Sequence, residues 1–96
     1  MINSFKDEIT DEIYNGLQTP AARKVPLGII IGAQRKMDLL NSVSRIETLD
    51  TVPSLQLEGG IVRDAYGKYS ISVSGSWRIA FCWNHDKADE VELYTS

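Results

Sequence analysis

"KYSISVSGSWRIAFCW", residues 68 to 83, decides the fold. Tyr69, Ile71 and Val73 alternate with Ser70, Ser72 and Ser74. After Gly75, the residues Trp77, Ile79, Phe81 and Trp83 alternate with Arg78, Ala80 and Cys82. A period of two marks a strand with one face on a core and the other toward solvent. Two such runs around a glycine predict a hairpin. Its register follows from the need to gather the apolar side chains on one face. A two-residue loop sets apolar residues of one strand against polar residues of the other. A three-residue loop, Ser74-Gly75-Ser76, pairs Val73 with Trp77, Ile71 with Ile79 and Tyr69 with Phe81. The spacing predicts that loop, although its usual geometry places the left-handed residue last, where this sequence has a serine. Ser70, Ser72, Arg78 and Ala80 then share the outward face, with Ser72 opposite Arg78. A planar guanidinium among small residues has room to reach a phosphate. An ordinary solvent-facing arginine is the alternative.

Downstream, "NHDK" at 84 to 87 reads as a turn and "DEVELY" at 89 to 94 as the last strand of a meander. Upstream, "SLQLEGG" at 54 to 60 reads as a strand ending in a turn, and "IVRDAYG" at 61 to 67 as a strand end or loop. The first half is helical. "INSF" at 2 to 5 suits a short edge strand. "KDEITDEIYNG" suits a short helix with Ile9 and Ile13 one turn apart and Gly16 as its stop. Thr19 before Pro20 suits a cap followed by a fresh helix start. The main helix runs from Leu27 to about Leu40, with Ile30, Ala33, Met37 and Leu40 on one face and Gln34, Arg35, Asp38 and Asn41 elsewhere. Gly28 and Gly32 weaken that helix by roughly 1 kcal/mol each against alanine, which points to close packing. "NSVSRIETLDTVP" is the connection, with room for a helical turn. A strand and helices followed by consecutive antiparallel strands predict an α+β domain, helices on one face of the sheet.

With 96 residues the chain suits one domain, spanning 1–96. Hydrophobic residues at 43% and charged residues at 24% are ordinary globular usage. The single cysteine, Cys82, excludes an internal disulfide and reads as a structural thiol. One Cys and one His cannot build a structural zinc site, so neither metal nor cofactor is expected. The composition suits a reduced, cytoplasmic setting. The opening lacks the pattern of a signal peptide. The longest apolar run, "VPLGIIIGA" at 25 to 33, is too short to span a bilayer, so no membrane association is expected. A net charge of −3 does not announce a nucleic-acid binder. Yet the middle of the chain keeps eight of the ten bases: Arg23, Lys24, Arg35, Lys36, Arg45, Arg63, Lys68 and Arg78. That distribution suits either a local basic face or a mixed solvated surface.

Taken together, "YSISVSGSWRIAFCW" at 69 to 83, a short turn and "ADEVEL" at 88 to 93 resemble the C-terminal half of HigB-type toxins of the RelE/ParE superfamily. These are the plasmid-maintenance "killer" proteins of toxin–antitoxin pairs. The specific part is Trp77-Arg78-Ile79, which is similar to the family's Trp-Arg-Ile pattern. "MINSFKD", "ARKVPLGIIIGAQRKMDLLNSVSRIETL" and "PSLQLEGG" are similar to its opening, its helix and its strand before the hairpin. The resemblance implies an α+β toxin fold and a ribosome-dependent mRNA endonuclease that inhibits translation without a metal. It implies three partners: the ribosome, mRNA and a helix-turn-helix antitoxin of HigA type, with DNA reached only through the antitoxin.

Under the resemblance Arg78 is the catalytic arginine, binding the scissile phosphate and stabilising charge that builds on it. Arg63 and Lys68 flank the hairpin as RNA contacts. Tyr66 and Tyr69 could stack bases, although Tyr69 shares the apolar face and suits the core better. Arg23, Lys24, Arg35 and Lys36 are candidates for gripping ribosomal RNA or are solvated helix charges. Attack by a 2′-hydroxyl wants a group to take its proton, ideally one titrating near neutrality. The family's terminal Asp-Tyr-His is absent, with Thr95 and Ser96 where its first two residues fall. His85, the sole imidazole, and Tyr94 are the remaining candidates, and phenols ionise well above neutral pH. A second reading keeps the fold without the chemistry: a gyrase inhibitor of ParE type, or a decayed toxin that only binds its antitoxin.

Overall fold

The computed structural model describes residues 1–95, which places the proposed match of Ser96 to the family's terminal motif outside the described residues. Apolar alternation in the second half gives four strands: β1 (Ile61–Arg63), β2 (Tyr69–Ser74), β3 (Trp77–Asn84) and β4 (Lys87–Thr95). They form one antiparallel sheet in the order β1-β2-β3-β4. The first half supplies α1 (Glu8–Tyr14), a 3-10 turn at Ala22–Lys24, α2 (Leu27–Ser42), a second 3-10 segment at Ile46–Thr51 and α3 (Pro53–Leu57). This is an α+β fold.

The hairpin pairs Ile71 with Ile79, Tyr69 with Phe81 and Ser72 with Arg78, as the alternation predicts. Its loop is shorter than expected. Ser74 pairs with Trp77, so only Gly75 and Ser76 turn the chain, and Val73 is the extra residue of a bulge. The bulge reconciles a two-residue loop with an apolar face in register. It also puts glycine where it is needed, since Gly75 takes φ +55° at the first loop position.

The segment Ser54–Gly60 is not a strand. Pro53 opens α3 at its first turn, where its missing N–H costs nothing, and Leu55 is buried against the core. One anchored leucine in a five-residue helix leaves the same apolar spacing as a short strand. In α1 the inward residues are Thr10 and Ile13, while Ile9 is exposed. Thr10 is drawn inside by a hydrogen bond, accepting from the Leu93 amide at 3.0 Å. Asp7 caps α1 by accepting from the Thr10 amide at 2.8 Å, and Gly16 stops it at φ +73°. Thr19 accepts from the Ala22 amide at 3.1 Å and so caps the 3-10 turn.

Ala33, Met37 and Leu40 of α2 are fully buried against Ile71, Ile79, Phe81 and Val91 of the sheet. Each large side chain buried this way contributes about 1.5–3 kcal/mol. Gly32 marks the closest approach: a Cβ there would stand 3.1 Å from Val73 Cγ1. Gly28 faces open space and marks no contact. The "INSF" segment runs parallel to β4 through bridges Ile2–Ala88 and Phe5–Val91, covering that sheet edge.

Candidate functional site

The face of the sheet away from α2 carries the candidate chemistry. Lys68, Ser70 and Ser72 of the β2 side stand beside Cys82, Ala80 and Arg78 of β3, and Tyr94 of β4 lies directly opposite Arg78. Directly opposite residues keep their Cα atoms within about 5.5 Å. The Arg78 guanidinium is half-buried and folds along the sheet to Ser70. Nε and Nη2 both donate to Ser70 Oγ, at 3.2 and 3.1 Å. Among the described residues no carboxylate pairs with it. The nearest acid on the same face, Glu92, is held by Lys6 at 3.6 Å. A guanidinium has five donors, so one serine oxygen leaves most of them available.

Beside it lies a shallow cleft of about 130 Å³, floored by Ser70 and Ala80 and walled by Tyr94, Lys68 and Val62. That is the space of roughly four waters, which suits a phosphate group better than a whole nucleotide. Ala80 shares this outward face yet is buried, being the shortest side chain at the bottom of the cleft. The β1–β2 turn is set by Asp64, whose Oδ1 accepts from the amides of Tyr66 and Lys68, each at 2.9 Å. Gly67 completes the turn at φ +82°. Tyr66 stands at its tip, 96% exposed, with its ring free for stacking. The Asp64 to Gly67 spacing is a turn signal already visible in the sequence.

The other candidates go elsewhere. Arg63 pairs with Tyr69 across the strands and stacks its guanidinium 5.3 Å from that ring's centre, on the opposite face from Arg78. Tyr69 itself stacks on Phe81 at 5.8 Å and belongs to the core side. His85 occupies the β3–β4 turn at φ +57°, seven residues from Arg78 along the strand, a distance of roughly 20 Å. Arg23 and Lys24 are exposed in the 3-10 turn and Arg35 on α2, all on the helix side of the sheet. Lys36 is paired to Glu58 at 2.7 Å.

Cys82 sits on the outward face, donating to Glu90 Oε2 at 3.7 Å. Burial, and then the Glu90 carboxylate, push its thiol above the ordinary value, which suits an inert side chain. Ser70 is the residue that strand alternation alone does not single out, since any serine on this face looks alike until the guanidinium's direction is known. No family model matches the chain, and no curated protein matches it.

Proposed function

We propose that this chain is the toxin of a type II toxin–antitoxin pair with a RelE/ParE-like fold, a ribosome-dependent mRNA endonuclease acting in the cytoplasm without a cofactor. The observation that carries the reading is the unpaired Arg78 guanidinium, braced by Ser70 beside a phosphate-sized cleft. In the reaction, the 2′-oxygen of a nucleotide attacks the adjacent phosphorus and the 5′-oxygen of the next nucleotide leaves. The products are a cyclic phosphate and a 5′-hydroxyl. Arg78 neutralises the charge that builds on the non-bridging oxygens. Lys68 adds positive charge at the cleft wall, and Tyr94 is the phenol placed to exchange a proton there. Tyr66 offers a stacking surface for a base at the cleft's outer end. His85 has no part, because it lies at the other end of β3. The partners on this reading are mRNA on the ribosome and a helix-turn-helix antitoxin, with DNA met only through the antitoxin.

One observation favours the second reading, a non-catalytic inhibitor on the same fold. Among the described residues no imidazole stands near Arg78, so the cleft holds no side chain that ordinarily titrates near pH 7. Pulse-labelling after induced expression separates the two. The endonuclease stops protein synthesis first, and Arg78→Ala relieves it. A gyrase inhibitor stops DNA synthesis first, and that outcome would remove the endonuclease reading.

A further inference from the structure

On the helix side of the sheet, α1, the 3-10 turn and α2 enclose a groove of about 460 Å³. Its walls are apolar and open to solvent. Leu17 is 54% exposed, Leu27 71% and Ile31 42%, with Val25 and Ile30 behind them. Leu27 and Ile31 are one helical turn apart, and Arg35 continues the same stripe one turn on. Arg23 lines the groove and Lys24 adjoins it. None of these three bases is in an ion pair among the described residues. On the opposite wall the carboxylates are engaged: Glu12 accepts from Thr19 at 3.1 Å and Asp11 from Asn15. The groove is therefore apolar along its length with three available cations on one rim, in a chain whose net charge is −3.

We propose that this groove receives an amphipathic helix of a partner protein, with an apolar stripe facing Leu17, Leu27 and Ile31 and acidic residues facing Arg23, Lys24 and Arg35. Apolar anchors spaced one turn apart fit a helix laid in a groove. The basic rim sets its orientation and excludes basic helices. A nucleic acid fits poorly, because the lining offers aliphatic side chains where bases want aromatic rings. The inference is independent of the role of Arg78, which lies on the other face of the sheet.

Two fluorescent amphipathic helical peptides test it, with the same leucine stripe and either glutamate or lysine on the flanks. Fluorescence anisotropy should show the acidic peptide binding at least about tenfold tighter than the basic one. The double variant Leu27→Gln/Ile31→Gln should weaken the acidic peptide by about tenfold or more, and Arg23→Glu should narrow the preference. Leu27 and Ile31 are exposed, and unchanged thermal melting would confirm folded variants. Absence of binding, equal binding of the two peptides, or binding that survives the double variant would overturn the proposal. So would a dimer of the chain alone that dissociates in the double variant, since the occupant would then be a second copy.

Discussion

Arg78 and Ser70 form the smallest unit of the account. The serine hydroxyl takes two of five guanidinium donors and leaves the rest toward the cleft. Truncation to Arg78→Ala removes a charged hydrogen bond from a half-buried position, so folding stability should change by no more than about 1–2 kcal/mol in urea unfolding. RNA cutting should be lost. Arg78→Lys keeps the charge and loses the planar fork, so it should restore little activity. Cys82 offers an independent check on the electrostatics of the same face. Burial and Glu90 hold its thiol protonated, so alkylation by iodoacetamide near pH 8 should be slower than for a free thiol. Removing the charge with Glu90→Gln should speed it, and an unchanged rate would contradict the assigned cause.

At the scale of elements, the second half of the chain was largely legible from its alternation. Ile71, Val73, Ile79 and Phe81 are all buried, as period two requires. The bulge at Val73 was hidden because pairing rules count residues evenly, and a bulge breaks that count. The α3 segment was misread because five residues with one buried leucine carry no period that separates helix from strand. The candidate site was legible in Arg78, Lys68 and Tyr94. Its grouping was not, since Tyr94 meets Arg78 only once β4 is aligned past its own bulge near Glu90. The glycines of α2 give a clean contrast. Gly28→Ala meets open space and should stabilise by up to about 1 kcal/mol. Gly32→Ala presses within 3.1 Å of Val73, so urea unfolding should show it less stable than Gly28→Ala.

The whole molecule divides its functions between two faces. The outward sheet face holds the guanidinium and cleft, the helix side holds the apolar groove with its basic rim, and the core between them keeps the two apart. Among the described residues no helix is long and apolar enough to cross a membrane. The N-terminal segment closes the sheet through Asp89, which accepts from Asn3 at 2.7 Å, Asn84 at 2.8 Å and Ser4 at 3.1 Å. Those hydrogen bonds, Asn84 first, hold its carboxyl below the ordinary value. A depressed carboxyl stabilises the fold above its unfolded value and loses that contribution as pH falls through the folded one. Hydrogen exchange at residues 3 to 6 should therefore accelerate below about pH 4, and Asp89→Asn should accelerate it at neutral pH as well. The central claim concerns Arg78, and cleavage mapping tests it most directly. The protein and Arg78→Ala are each added to free mRNA and to mRNA on programmed ribosomes, and new 5′ ends are read by primer extension. The account predicts cuts that require the ribosome and vanish in the variant. Cuts that persist in Arg78→Ala, or none from the folded wild-type chain, would contradict it.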